Sequence, residues 1–255
     1  MKRHPIPPQF RTRHPHPCDG NLPPELNAAL QQHVVEIAEG MVELSRGETL
    51  VHSGMPFKYL YLVVNGGLKA VQIGEDGQSQ IVCFHYPREL VGLTGFARNV
   101  YTTYVVALAP CMVCEFPVAA VESVVGADRT LLDHLLTYVS ESLARAERDQ
   151  FMLGSLTAPQ KISYFLLQLQ DKLRLAGKDA DRFELLMTRE EIGSYLGLTM
   201  ETISRLFSQL QADGVARVEK RQVQILRHDL LQVWRDEGAE LATPSRKKGP
   251  VLKLA

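Results

Sequence analysis

Glu201, Ser204 and Arg205 lie within little more than one helical turn in the segment METISRLFSQLQA. Together they offer an acceptor, a hydroxyl and a forked cation. Ile203, Leu206, Phe207 and Leu210 recur at spacings of three and four on the other side, so that side is the one to be buried. An arginine displayed in this way can donate both forks to guanine in a major groove. A glutamate can accept from the cytosine amino group, and a serine or threonine can serve base edges or phosphates. Glu201 and Arg205 are also an i,i+4 pair, which in isolation is ordinarily a solvated contact on a helix surface. The elements around them decide between these two meanings.

Thr188 is placed to cap a preceding helix, with Glu190 and Glu191 in the first turn, where the helix dipole favours acids, and Ile192, Leu196 and Leu198 pointing inward. Gly197 ends that helix, and Thr199 caps a second one running from Met200 to about Ala212. A short basic hairpin, Val215 to Leu226, follows and turns near Lys220 and Arg221. Two helices about a glycine turn, then a hairpin, form the winged helix-turn-helix. In that frame Thr188, Arg189, Thr199 and Thr202 stand where they would hold the duplex backbone. Arg205, Arg217, Lys220, Arg221 and Arg227 supply local positive charge. The whole chain has a formal net charge of −1, which excludes a general polyanion binder and makes any nucleic-acid contact a local matter.

TREEIGSYLGLTMETISRLF resembles the DNA-binding helix pair of the CRP/FNR family of bacterial transcription regulators. The E-x-x-S-R of the second helix is similar to the FNR branch; in the cyclic-AMP receptor branch an Arg precedes the Glu and a Gly replaces the Ser. The resemblance implies that Glu201, Ser204 and Arg205 read a TTGAT-like half-site, and that a homodimer reads its inverted repeat. It also implies RNA polymerase as a partner and a role in transcription activation, within redox, oxygen or anaerobic control.

At 255 residues and 45% hydrophobic content, the chain can bury a sizeable core and is expected to hold two domains. Residues 1–24, rich in Pro, His and Arg, read as a flexible arm. His14, His16 and Cys18 alternate there with Pro15 and Pro17, which hold the chain extended and keep the side chains from converging on a metal. Glu25 to Ala38 reads as a short amphipathic helix. From Met41 to Phe116 short alternating segments (TLVHS, YLYLVVNG, LKAVQIG, SQIVCFHY, YVVALAP, MVCEF) separated by Gly turns indicate an antiparallel barrel or jelly roll. Their order resembles the cyclic-nucleotide-binding-type β-roll of the same family. Roughly Asp128 to Leu153 forms a long helix with Leu132, Leu135 or Leu136, Val139, Leu143, Ala146 and Leu153 near heptad spacing, read as the dimerisation seam. Thr157-Ala158-Pro159 breaks it. The expected α+β order is therefore arm 1–24, β-roll sensor 25–127, dimerisation helix 128–156, winged helix-turn-helix 157–238 and flexible tail 239–255. No apolar run approaches a membrane span and no signal peptide is evident, so a cytoplasmic, non-membrane protein is expected.

The sensor half yields no cofactor. Where the resemblance places a Glu for ribose and an Arg-Ser pair for a cyclic phosphate, this chain has Leu93 after Gly92 and Tyr101-Thr102, which argues against cyclic AMP. A 4Fe-4S cluster needs four thiolates, which in FNR are three near the N-terminus and one in the β-roll. Cys114 matches the β-roll position, but Cys18 stands alone, so the cluster is not expected. Cys83 and Cys111 read as core residues, while Cys18 and Cys114 remain candidates for a thiol switch. His33, His52, His85 and His134 are candidate haem ligands, none of them decisive. No nucleophile with a base and no Gly-rich phosphate loop stands out, so an enzyme is not expected. A ligand-binding module without DNA function is the competing reading, and it leaves the Glu201/Ser204/Arg205 face unexplained.

Overall fold

A computed structural model describes residues 37–238 of the protein. The arm 1–24, nearly all of the expected helix 25–38 and the tail 239–255 lie outside the described residues, and with them His14, His16, Cys18 and His33. The chain divides into two compact units. One holds the residues up to Arg148 together with Lys172–Lys178, and the other holds Asp149–Asp171 and the residues from Asp179 on.

The first unit is built from two four-stranded antiparallel sheets. One runs β1 (Gly40–Leu44), β8 (Cys111–Pro117), β3 (Tyr59–Asn65), β6 (Leu90–Val91); the other runs β2 (Thr49–Val51), β7 (Tyr104–Ala107), β4 (Leu68–Ile73), β5 (Ser79–His85). Leu60 to Val63 is an unbroken buried run because β3 lies between β8 and β6 and faces the core. Short strands β1 and β6 carry too little alternation to announce themselves, and helix α1 (Val118–Ala127) follows β8 without a polar loop. Strand β5 is at a sheet edge and carries a bulge: Val71 pairs with Ile81 but Ala70 pairs with Cys83, leaving Val82 as the extra residue. The bulge changes which side chains share a face, so a strict two-residue alternation from Ile81 does not hold.

Helix α2 (Arg129–Ser155) begins in this unit. Tyr138 on its inner side joins the β-roll core, and its hydroxyl accepts a 2.9 Å hydrogen bond from the Leu90 amide. Leu136, Val139, Leu143 and Phe151 are 41–64% exposed, which is unusual for large apolar residues on one helix.

In the second unit, helix α3 (Ala158–Leu175) starts after a two-residue break at Leu156 and Thr157. Thr157 donates from its amide and its hydroxyl to Gln160 Oε1 at 3.0 and 2.9 Å, and Pro159 stands in the first turn, where its missing amide hydrogen costs nothing. There follow β9 (Arg182–Glu184), α4 (Arg189–Leu196), α5 (Met200–Ala212), β10 (Ala216–Glu219), β11 (Gln222–Ile225) and α6 (His228–Glu237). The hairpin is the expected one, but the wing is a three-stranded sheet ordered β10-β11-β9. Asp149, in the C-terminal part of α2, accepts from Gln168 Nε2 (2.8 Å), Tyr164 Oη (3.3 Å) and Tyr195 Oη (3.0 Å), which ties that part of the helix to α3 and α4.

The turn between α4 and α5 is fixed by two glycines. Gly197 has φ 63°, the left-handed conformation that stops α4. Gly193 lies against the Leu198 carbonyl, which would be 2.5 Å from a Cβ at that position, and its own carbonyl accepts from the Leu198 amide at 2.9 Å. Because the obstacle is backbone, a side chain there must spread the two helices. Gly193→Ala is expected to destabilise the second unit by about 1–3 kcal/mol. Urea unfolding followed by far-ultraviolet circular dichroism checks this, and an unchanged midpoint would show that the turn can relax.

Candidate nucleic-acid interface

The two helices are capped as their sequences require. The Glu191 amide donates to Thr188 Oγ1 at 3.1 Å while the Thr188 amide donates to Glu191 Oε2 at 2.7 Å, a complete capping box. The Thr202 amide donates to Thr199 Oγ1 at 3.2 Å, and the two threonine hydroxyls lie 3.0 Å apart. Ile203, Leu206, Phe207 and Leu210 of α5 are buried. Burying them turns Glu201, Ser204, Arg205 and Ser208 outward, and all four are exposed. Among the described residues Glu201 and Arg205 are not paired with each other, so the solvated-pair alternative does not occupy this face. Ser204 Oγ donates back to the Met200 carbonyl at 2.9 Å, which satisfies its hydrogen and leaves its lone pairs for an incoming donor.

The basic residues divide into two groups. Arg189 lies with its guanidinium carbon 3.6 Å from the centroid of the Phe207 ring and donates from Nη2 to the Lys220 carbonyl at 3.1 Å. It braces α4 against α5 and the wing. Burial lowers its pKa to about 10, and Nη1 is buried without a hydrogen-bond partner, so the stacking on Phe207 carries the rest of the contact. Arg221 likewise donates to the Leu186 carbonyl at 2.8 Å, and Arg227 forms a two-pronged pair with Asp229 at 2.7 and 3.0 Å. Arg205, Arg217 and Lys220 remain exposed, with Lys220 at the hairpin turn at φ 55°. Sequence spacing could not separate braces from displayed charges, because Phe207 and the Leu186 carbonyl meet those arginines only after the chain folds.

In the β-roll, Tyr101 is 6% exposed. Its hydroxyl donates to the Tyr59 carbonyl at 2.7 Å and accepts from the Tyr59 amide at 3.2 Å. Phe57 packs edge-on to Tyr101 and to Phe96, at 5.4 and 4.9 Å between centroids, and Thr94 and Thr102 hydroxyls bond at 2.7 Å. The position matching a phosphate-binding Arg is thus an aromatic wall with its polar tip satisfied internally. Cys114 is buried in β8 and bonded in a disulfide, whereas Cys83 and Cys111 carry free thiols. Cys18, the other candidate for a thiol switch, lies outside the described residues. Among the described residues no three His, Cys, Asp or Glu side chains converge to hold a metal. His52 packs edge-on to Tyr104 at 5.7 Å, and His85 is engaged with Cys83.

Of the seam residues, Leu136, Val139, Leu143 and Ala146 are exposed, while Leu132 and Leu135 are half-buried. Leu132, Leu136, Val139, Leu143 and Ala146 follow one another at spacings of four and three, and Leu135 lies beside that stripe. Among the described residues no helix is long and apolar enough to cross a membrane.

Comparison with known proteins agrees with these two halves. Residues 41–128 match the family model of a cyclic nucleotide-binding domain, and residues 160–234 that of a Crp-like helix-turn-helix domain. The chain is 35% identical over 205 residues to the transcriptional activator protein Anr of Pseudomonas aeruginosa, covering 80% of this chain and 84% of that protein. It is 30% identical over 204 residues to the anaerobic regulatory protein of Haemophilus influenzae, covering 80% and 79%. Among solved structures, FixK2 from Bradyrhizobium japonicum is similar with a TM-score of 0.71 at 28% identity, over 77% of this chain and 96% of that one. With a β-roll, a long helix and a capped, winged helix pair joined in that order, the chain belongs to the CRP/FNR family of DNA-binding transcription regulators.

Proposed function

We propose that the protein is a cytoplasmic homodimeric activator that reads a TTGAT-type inverted repeat and recruits RNA polymerase, acting by binding and not by catalysis. The observation that carries this reading is the outward face of α5, where Glu201, Ser204 and Arg205 are exposed together and neither charge is neutralised by the other. Arg205 contacts guanine, Glu201 accepts from the opposed cytosine or adenine amino group, and Ser204 accepts from a neighbouring base. Thr188, Thr199 and Thr202 hold the backbone near the helix N-termini, where amide hydrogens favour phosphate. Arg189 serves indirectly as the brace that keeps α5 in place, and Arg217 and Lys220 add backbone charge from the wing. The loop Thr94 to Asn99 is the surface offered to polymerase. Relatives named as a transcriptional activator and as an anaerobic regulatory protein support a setting in oxygen or anaerobic control.

Dimerisation uses the exposed stripe of α2, because Leu136, Val139 and Leu143 at 41–61% exposure leave an apolar seam that a second copy would cover. No cyclic nucleotide is required: Tyr101 supplies no cation where a cyclic phosphate would need one. A ligand-free or differently controlled β-roll is the consequence.

Three outcomes test these statements. Arg205→Ala should weaken binding by about 1–3 kcal/mol per half-site on TTGAT duplexes and relax preference at one base pair, measured by fluorescence anisotropy. An equal loss on random duplex would assign Arg205 to backbone charge instead. Leu143→Glu should yield a folded monomer by light scattering and lower affinity for the inverted repeat by roughly 100-fold or more. A dimer of unchanged mass would move the interface elsewhere. A large excess of cyclic AMP should leave the melting temperature unchanged, and a clear rise would mean that the β-roll accepts the nucleotide after all.

A further inference from the structure

Away from the DNA-reading face, four ionisable side chains gather at the edge strand of the β-roll. Cys83 and His85 are two residues apart on β5, beyond the bulge at Val82, so that they share one face of the strand, and the Cys83 thiol donates to the Phe84 carbonyl at 3.6 Å. Cys83 is a free thiol, partly exposed. Beside them Lys172, in the part of α3 that belongs to this unit, donates from Nζ to the Phe84 carbonyl at 2.7 Å and pairs with Glu89 at 3.1 Å. The Lys172 and Glu89 side chains retain 21% and 15% exposure, so the cluster is recessed but not sealed. The surrounding titratable groups are Tyr86 and Glu89 from the segment after β5, Tyr138 and Arg145 from α2, and Lys172 itself. The other free thiol, Cys111, is fully interior in β8 and has no such neighbours.

We propose that Cys83 is a peroxide-reactive thiol, with His85 as its proton partner and the Lys172–Glu89 pair holding the local charge, and that small hydroperoxides are its substrate class. The site is independent of the DNA-binding reading. In the reaction the Cys83 thiolate attacks one peroxide oxygen, forming an S–O bond as the O–O bond breaks. The sulfur is oxidised to a sulfenic acid, the departing oxygen is reduced, and it takes the His85 proton and leaves as water from hydrogen peroxide or as an alcohol from an alkyl hydroperoxide. The electrostatics favour this starting state. Burial raises the Cys83 thiol, but the neighbouring His85, together with Lys172, outweighs it and brings its pKa below the ordinary value. Burial likewise lowers His85, and the neighbouring Cys83 more than reverses that. Burial alone acts on Cys111 and pushes its thiol up to about 12, where it is inert near neutrality.

The test uses the full chain. Iodoacetamide labelling across pH, read by peptide mass spectrometry, should give Cys83 a midpoint below that of the same residue in the urea-unfolded protein. At neutral pH it should label at least about tenfold faster than Cys111. Hydrogen peroxide with dimedone should place a sulfenic adduct on the Cys83 peptide, which Cys83→Ser abolishes. His85→Gln should raise the midpoint and slow peroxide oxidation by about tenfold. A Cys83 midpoint at or above the unfolded value, or peroxide reactivity no greater than in the unfolded chain, overturns the proposal. Unchanged kinetics in folded His85→Gln overturns the role of His85. Should that variant not fold, the comparison of folded and unfolded wild type decides.

Discussion

In the second unit Gly193 packs against the Leu198 carbonyl, and the outward face of α5 depends on that contact. With no side chain at 193, the end of α4 and the start of α5 can come within backbone contact. Gly197 supplies the left-handed residue between them. The capping box at Thr188 and the cap at Thr199 fix where each helix begins, which sets the rotational phase of every later residue. That phase alone puts Ile203, Leu206, Phe207 and Leu210 inside and leaves Glu201, Ser204 and Arg205 outside. A helix pair opened by even a small angle would carry the same residues in the wrong place.

Charge is apportioned in the same unit with little redundancy. Arg189 and Arg221 are held by Phe207 and the Lys220 carbonyl and by the Leu186 carbonyl, so they shape the scaffold, while Arg227 is paired on the surface with Asp229. Arg205, Arg217 and Lys220 stay in solvent and carry the field a phosphate backbone would meet. A protein with a net charge of −1 can read DNA on these terms, because a few displayed cations on a preset surface matter more than the total.

The β-roll unit is organised differently. Its interior near Tyr101 is closed by aromatic packing among Phe57, Tyr61, Phe96 and Tyr101, and the only hydroxyl that could reach a ligand there from residue 101 is held by Tyr59. Its ionisable side chains Cys83, His85, Glu89 and Lys172 lie together at the sheet edge.

The sequence by itself determined the helix pair, its caps and its outward face, because these are local: i,i+3 and i,i+4 periodicity, a threonine followed three residues later by glutamate, a glycine at a helix end. It determined most strands of the β-roll for the same reason, and the single residue Tyr101 was enough to question a cyclic phosphate. Only tertiary structure decided which arginines brace and which are displayed, since their partners are backbone carbonyls or rings up to 35 residues away. It also added β9 as the third strand of the wing and showed that, of the neighbours Leu135 and Leu136, Leu136 is the exposed one. Cys83, which the sequence assigned to the core, was decided by a bulge and by a lysine 89 residues further along the chain. A bulge breaks the two-residue period on which strand reading rests, and no local pattern reports a neighbour brought in from another element.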